Sequence, residues 1–222
     1  MTRPHTAAKR FVAEMPDDLK SQVRPLYSPL LSIVSMADGD TIATEEAAIF
    51  TSSNGVANAP AGADRVAYCI GAATTERAKE HGWAAQLVGQ TADELVAHLA
   101  TVPLSQALVH IRGRHTRGDI VSRLQAAGQE ARDWVVYDQR LHPLSESAHD
   151  ALLREELTIV PLFSPRTAMQ FAREAPRTTS IRVIALSDAV ADAVQPVQTD
   201  SVAVQPDATA MYEAMRQIIR AG

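Results

Sequence analysis

The sequence predicts an α/β fold in which small, doubly wound parallel-sheet domains are repeated. Short apolar runs alternate with segments of helical periodicity along almost the whole chain. Most of the runs end in Ser, Thr or Gly, and Ser and Thr favour the start of a helix. Strands that are each followed by a helix are typical of parallel sheets covered on both faces. The dense spacing of these units favours small domains over a single barrel.

The first half begins with a predicted helix over 5–20, because apolar residues from Ala7 to Met15 recur on one helical face. Thr91 and Glu94 have the spacing of a capping box, and Gly82 and Gly128 are stop signals. Later helices are predicted to begin at 51–55 and 71–76 and to cover 91–99 and 119–127. The predicted strands are residues 30–35, 47–50, 66–70, 87–88, 107–111 and 134–138.

The second half repeats the alternation. Its predicted strands are residues 158–163, 181–186 and 202–204, and its predicted helices are 145–155, 164–174, 187–194 and 207–219. Phe50 and Phe163 each end a strand before a polar helix start, and they lie 113 residues apart. The helix at 91–99 aligns with 206–214 at an offset of 115. The near-constant offset favours an internal duplication over the loose repetition of any α/β chain.

The composition excludes several classes of protein. Of the 222 residues, 46% are hydrophobic and 21% charged, which is typical of a folded domain rather than a disordered chain. The net charge of -5 disfavours a general nucleic-acid binder. The sequence shows no apolar run of membrane-spanning length and no signal-peptide pattern, so no membrane partner is expected. A single cysteine, Cys69, excludes an internal disulfide framework, and we expect a cytoplasmic protein.

Four predicted strand-end loops, 51–55, 71–76, 112–118 and 164–167, are rich in Ser, Thr, Gly and Arg. Ligands of open α/β sheets bind at the carboxyl ends of the strands, where helix N-termini favour anions. The arginines that can add contacts to carboxylates or phosphates are Arg3, Arg112, Arg114, Arg117 and Arg166. For a single loop, simple helix capping with solvated arginines explains the pattern better. For the four together, an anion site is favoured.

Other signatures of chemistry are missing from the sequence. It has no Walker loop, no G-x-G-x-x-G after a strand and no G-x-S-x-G, so we expect no cofactor. Its histidines show no metal-ligand spacing, and no metal is expected. His110 lies in an apolar run and is interpreted as packed, as is Cys69. Tyr137 ends a strand, where its residue type alone favours a surface tyrosine over a functional one.

Several short motifs follow one another along the chain: Thr2-Arg3-Pro4, Ser28-Pro29-Leu30, 50–56, 70–74, Arg112-Gly113, Val136-Tyr137 and Phe163-Ser164-Pro165. In this order and spacing they resemble the uroporphyrinogen-III synthase family. The resemblance extends over nearly the whole chain. It implies two similar α/β domains joined by a two-stranded β connector, with the active site in the cleft. One domain would contain residues 1–32 and 143–222, the second, inserted domain 37–133, and the connector strands 30–36 and 134–142.

The resemblance also implies a reaction, a substrate and a set of site residues. A cofactor-free, monomeric lyase would cyclise hydroxymethylbilane, a linear tetrapyrrole with eight carboxylates, to uroporphyrinogen III. The substrate hydroxyl leaves to give an azafulvene cation, and ring D is inverted through a spiro intermediate. Tyr137 matches the tyrosine proposed to assist loss of the hydroxyl. The expected substrate-binding residues are Arg3, Thr51, Ser52, Ser53, Gly71, Thr74, Arg112, Gly113, Ser164, Arg166 and Ser187.

Two departures from the family pattern bear on these expectations. The C-terminal turn at 186–191 contains Asp188, which is unfavourable beside a polyanion, although Ser187 can keep the helix cap. Almost no residues precede Thr2, so either the first sheet edge is short or the chain starts upstream of Met1. Two alternatives remain open: a non-catalytic two-lobed module that binds anionic ligands, and an α/β sugar- or phosphate-binding enzyme.

Overall fold

A computed structural model describes residues 1–36, 40–102, 106–115, 118–154, 156–176, 178 and 180–221. The chain divides into two compact units. Unit 1 contains Met1–Ser32 and Arg140–Gly222, and unit 2 contains Ile33–Gln139. The two-stranded β connector and the exact limits of the two domains stay predictions.

The described residues form ten helices and nine strands. The helices are α1 (His5–Ala13), α2 (Asp17–Lys20), α3 (Ser53–Asn58), α4 (Ala72–Glu80), α5 (Ala92–Thr101), α6 (Ile120–Ala126), α7 (Glu146–Leu153), α8 (Pro165–Glu174), α9 (Asp188–Ala193) and α10 (Ala208–Ala221). The strands are β1 (Leu31–Ser35), β2 (Glu46–Phe50), β3 (Val66–Ile70), β4 (Ala84–Gly89), β5 (Ala107–Gly113), β6 (Ala131–Leu141), β7 (Thr158–Leu162), β8 (Ile181–Ala185) and β9 (Ser201–Val202).

A six-stranded sheet with the order β1-β6-β5-β2-β3-β4 contains the strands of unit 2. Strands β2 to β6 pair in parallel, with Ala48 opposite Ala67 and Val109. Successive residues of β2 enter different cores, Phe50 with Trp83 on one face and Ile49 with Leu95 on the other. Because successive side chains of a strand point to opposite faces, this alternation means that both faces are covered.

Unit 1 contains a parallel sheet of β7, β8 and β9, in that order. Strand β8 alternates in the same way, since Val183 and Ala185 enter one apolar core and Ile184 the other. The predicted α/β class with a parallel-sheet core is therefore confirmed. Within the part of the chain that the structure describes, no helix is both long and apolar enough to cross a lipid bilayer.

The predicted helix over 5–20 was wrong as a single element. It is two helices, α1 and α2, separated by Glu14, Met15 and Pro16. Proline has no backbone N–H and disfavours helical geometry in the preceding residue, so the apolar stripe continues while the helix does not. Pro16 instead takes the position just before the first residue of α2. Near the other end of the chain, the predicted strand 202–204 is shifted to Ser201–Val202.

Candidate functional site

The carboxyl ends of β2 and β3 each lead directly into a helix, as parallel strands in this architecture do. Ser52 precedes α3, and its hydroxyl accepts a hydrogen bond from the Asn54 N–H at 3.1 Å. Gly71 precedes α4 with a φ of 76°, a left-handed conformation that a glycine adopts without strain. Thr74 is buried in the first turn of α4, whereas Ser53 is exposed. Backbone amides of these turns thus lie at one edge of the sheet.

Tyr137 lies on β6 directly against Gly113 of β5. The register of the two strands shifts between Arg112 and Gly113, and this irregularity brings Gly113 opposite Tyr137. A Cβ atom on Gly113 would be 2.5 Å from the Tyr137 Cζ atom, so only glycine permits this packing. Tyr137 is only 4% exposed, and its hydroxyl makes no hydrogen bond to any described residue. The interpretation of Tyr137 from its residue type alone as a surface tyrosine was therefore wrong.

Arg112 does not present an uncompensated charge. Its Nε and Nη2 atoms donate to the two carboxylate oxygens of Asp133 at 2.6 and 3.1 Å. Its Nη1 atom donates to the Gly113 carbonyl at 3.0 Å. Burial acts to raise the pKa of Asp133, but hydrogen bonds from His110 and Arg112 lower it to about 2. Asp133 is therefore a carboxylate at neutral pH and neutralises the arginine expected to bind anions.

His110 links Asp133 to the end of β2. It is buried, as the sequence predicted, but both ring nitrogens have polar partners. Nδ1 lies 3.2 Å from an Asp133 carboxylate oxygen, and Nε2 lies 3.3 Å from the Thr51 hydroxyl. Sequence reasoning missed Asp133 entirely. In the sequence, Asp133 was only an acidic residue directly before the predicted strand 134–138. Its partners depend on the β5–β6 register, in which His110 faces Asp133.

The loop after β5 carries more exposed charge. Arg114 and His115 lie 3.7 and 3.4 Å from the carboxylate of Asp138. Both side chains are exposed, and such pairs contribute little to stability. Arg117, a third predicted anion ligand of this loop, lies outside the described residues.

In unit 1 the end of β7 leads into α8 through Phe163 and Ser164. The Ser164 hydroxyl accepts from the Thr167 N–H at 3.2 Å, and Pro165 is the first helical residue. Proline suits that position because the first amides of a helix lack intrahelical partners. Arg166 is half-buried in the first turn. The predicted strand-end turn at 164–167 is thus a capped helix start.

Arg3 stacks beside this turn. Its guanidinium carbon lies 4.3 Å from the centre of the Phe163 ring, and Phe163 directly precedes Ser164. Arg3 makes no hydrogen bond or salt bridge to a described residue. Burial and the nearby charge of Arg10 lower the pKa of Arg3 from its ordinary value, whereas the nearby charges of Tyr212 and Glu14 act to raise it. The cation therefore stacks on an aromatic face, and Glu14 interacts with it electrostatically without forming a salt bridge.

Ser187 differs from Ser164. It occupies the position before α9, but its side chain makes no capping hydrogen bond. Asp188 is exposed in the first turn of α9. At the start of α9, which departs from the family pattern, the Ser187 hydroxyl therefore does not cap the helix and is followed by an acidic residue.

A cavity of about 710 Å³ lies elsewhere in unit 1. It follows β7 from Thr158 to Pro161 and the segment from Gln22 to Leu26. None of the predicted site residues lines it. Among the described residues, no group of three His, Cys, Asp or Glu side chains is placed to hold a metal ion.

Comparisons with known proteins agree with this architecture. The family model described as "Uroporphyrinogen-III synthase HemD" matches residues 19–213. The fold is similar to that of uroporphyrinogen-III synthetase from Helicobacter pylori, with a TM-score of 0.70, 20% identity and coverage of 90% of this chain and 97% of that one. It is also similar to a mutant uroporphyrinogen III synthase from the extremely thermophilic bacterium Thermus thermophilus, with a TM-score of 0.59, 14% identity and full coverage of both chains.

At these identities the two structures support the fold alone. No curated protein sequence matches the chain significantly. The family match covers well over half of the chain, with alternating strand and helix elements whose carboxyl-end loops carry the motifs. The chain belongs to the uroporphyrinogen-III synthase family.

Proposed function

We propose that this chain is a lyase that cyclises hydroxymethylbilane to uroporphyrinogen III, with inversion of ring D through a spiro intermediate. The observation that carries the proposal is the family match over residues 19–213. This match supports a role in tetrapyrrole biosynthesis. We further propose that it acts as a cytoplasmic monomer without a cofactor, as the resemblance implies.

The substrate carries eight carboxylates, so binding requires hydrogen-bond donors and positive charge at several separate points. In unit 1, Arg3 forms no salt bridge to a described residue and supplies both beside the start of α8. In unit 2 the turn at Gly71 and the buried Thr74 supply donors at the start of α4. Helix starts favour anions because their first amides are unpaired. We propose substrate contacts at Arg3, Thr51, Ser52, Ser53, Gly71, Thr74, Arg112, Gly113, Ser164, Arg166 and Ser187.

Tyr137 is the proposed catalytic residue. Loss of the substrate hydroxyl requires a proton donor, and a phenol is neutral and able to donate at pH 7. The Tyr137 hydroxyl has no described hydrogen-bond partner, while its ring is fixed against Gly113. A donor held in one place lowers the barrier more than a mobile one, since its orientation is set before the reaction.

Replacing Tyr137 with Phe tests this role. We expect kcat to fall about a hundredfold, as is typical for loss of a general acid, with the fold retained. The matched control is Tyr68→Phe on β3 of the same unit, which removes a hydroxyl outside the proposed site and should keep wild-type turnover. Full turnover by Tyr137→Phe would remove this residue from the mechanism.

Product chemistry tests the function itself. Enzymatically generated hydroxymethylbilane closes spontaneously to uroporphyrinogen I, so the isomer formed reports catalysis. We expect uroporphyrinogen III to predominate in the presence of the purified chain. Uroporphyrinogen I at the rate and yield of a protein-free control would instead favour a non-catalytic module that binds anionic ligands.

A further inference from the structure

Three side chains from neighbouring strands form a continuous row in unit 2. Strands β2, β5 and β6 carry, or directly precede, Thr51, His110 and Asp133, and they are adjacent in the order β6-β5-β2. The distances from His110 are 3.3 Å to the Thr51 hydroxyl and 3.2 Å to Asp133. The His110 side chain is only 3% exposed, whereas Thr51 is half-buried. The row therefore has a buried middle residue, His110, between the half-buried Thr51 and the more exposed Asp133, whose side chain is 37% exposed and is held by Arg112.

The direction of the hydrogen bonds in this row follows from Asp133, at the end opposite Thr51. Asp133 is a carboxylate and can only accept, and Arg112 already donates to both of its oxygens. His110 must therefore carry a proton on Nδ1 and donate it to Asp133. In the neutral ring Nε2 is then an acceptor, so the Thr51 O–H donates inward to His110.

With its proton directed inward, the Thr51 oxygen has its remaining lone pairs available to a ligand. It can accept a hydrogen bond but cannot donate one to a carboxylate. The proposed substrate contains two classes of donor, the pyrrole N–H groups and the hydroxyl, and only the N–H groups remain once that hydroxyl leaves. When the hydroxyl leaves, positive charge develops on the pyrrole nitrogen, and its N–H becomes a stronger donor. An acceptor at this point stabilises the transition state more than the ground state.

We propose that Thr51 accepts a hydrogen bond from a pyrrole N–H of the linear tetrapyrrole, and that His110 and Asp133 are positioning residues that fix its hydroxyl as an acceptor. The inference rests on the proposed function and changes the role of one residue within it, because Thr51 then recognises the pyrrole rather than a carboxylate side chain. Hydrogen bonds in series strengthen one another, so the row also makes the Thr51 oxygen a better acceptor.

The first test needs no turnover. In a ¹⁵N-histidine NMR spectrum of the full chain at pH 7, His110 should show the neutral form protonated on Nδ1. Arg112→Gln should keep this form, because Asp133 remains as the acceptor. Asp133→Asn should change it, since an amide no longer requires a proton on Nδ1. A wild-type His110 protonated on Nε2, or on both nitrogens, would overturn the assigned direction.

The second test is kinetic and uses hydroxymethylbilane. Thr51→Val should lower kcat about tenfold or more with little change in KM, while Thr51→Ser, which keeps the hydroxyl, should restore kcat to within a few-fold. Asp133→Asn should also lower kcat, and the double variant Thr51→Val/Asp133→Asn should be no slower than Thr51→Val alone, because the residues act as one unit. Additive losses would mean that Asp133 has only a structural role.

The wild-type reaction separates the two proposals. Uroporphyrinogen III from the wild type, together with an unchanged kcat in Thr51→Val, would overturn this inference and leave the proposed function intact. A raised KM with unchanged kcat in Thr51→Val would assign Thr51 to ground-state binding and likewise contradict it. A wild type that forms only uroporphyrinogen I would overturn both.

Discussion

The arginines beside the strand ends of the two units, Arg112 and Arg3, have opposite surroundings. In unit 2, Arg112 is bound by both oxygens of Asp133, and His110 joins the same carboxylate. In unit 1, Arg3 lies on the face of Phe163 and forms no salt bridge to a described residue. Because Asp133 already compensates its charge, we expect Arg112 to attract an anionic ligand less strongly than Arg3 does. If both arginines contact the substrate, as proposed, Arg3 of unit 1 should supply the stronger positive charge and Arg112 of unit 2 the weaker one.

If this comparison holds, changes in unit 2 should reduce stability, whereas changes at Arg3 should reduce substrate affinity. Gly113→Ala should have the largest effect. Its Cβ would enter the Tyr137 ring at 2.5 Å, and forcing the two strands apart should lower the free energy of unfolding by about 3 kcal/mol. Urea denaturation of the wild type and of Gly113→Ala measures this difference in the free energy of unfolding.

Gly128→Ala is the matched control for that variant. Gly128 has a positive φ, 84°, but a Cβ there would meet nothing within 4 Å. Only backbone strain of about 1 kcal/mol is expected. Equal losses in the two variants would show that the Tyr137 contact is not the cause.

Arg3→Gln should separate binding from stability. Loss of a charged hydrogen-bond donor should weaken substrate binding about tenfold, seen as a raised KM. The cation–π contact contributes about 0.5–1 kcal/mol, so the unfolding free energy should change little. Arg220→Gln, which removes an exposed cation of the same unit that does not act on Arg3, is the control. If Arg112→Gln raised KM more than Arg3→Gln does, Arg112 and not Arg3 would be the stronger contact to the substrate, and the comparison would be contradicted.

Asp133→Ala should produce a smaller, pH-dependent loss. Its side chain is 37% exposed, so solvent screening limits the expected destabilisation to about 1 kcal/mol. The folded-state pKa of about 2 lies below the ordinary 3.8, so this stabilisation is present above the unfolded value and is lost as pH falls through 2. The stability difference between wild type and variant should therefore shrink from pH 5 to pH 2. A difference that grows on acidification would contradict the assigned ion pair.

The two serine helix starts of unit 1 allow the finest test. Ser164→Ala removes a capping hydrogen bond and should cost about 1 kcal/mol of stability. Ser187→Ala removes a side chain that caps nothing and should cost only a few tenths. Thermal unfolding of both variants decides this, and a larger loss at Ser187 would mean that its hydroxyl has a structural role.

Local signals predicted the features that depend on a few consecutive residues. The Thr91 cap is one of these, since its hydroxyl accepts from the Glu94 N–H at 3.2 Å. The Ser164-Pro165 helix start is another. The prediction of a single helix over 5–20 was wrong because it followed the apolar periodicity and did not take account of the break at Pro16. Signals of this kind describe the fold well because each is decided within one turn or strand.

The chemistry of the candidate site depended on contacts between distant segments. Asp133 meets Arg112 and His110 only because β5 and β6 pair in one particular register. Likewise, Tyr137 is buried because that register shifts beside Gly113. Periodicity along one strand carries no information about the register of its neighbour. The sequence therefore named Arg112 and Tyr137 as site residues but did not reveal their partners.

The most direct test of the central claim is the isomer ratio of uroporphyrinogen formed from hydroxymethylbilane as the concentration of the chain is raised. Enzymatic closure competes with spontaneous closure, so the proposed function predicts a fraction of uroporphyrinogen III that rises with protein and approaches completeness. Arg3→Gln should need more protein or substrate to reach the same fraction. A product that remains uroporphyrinogen I at every protein concentration would contradict the account.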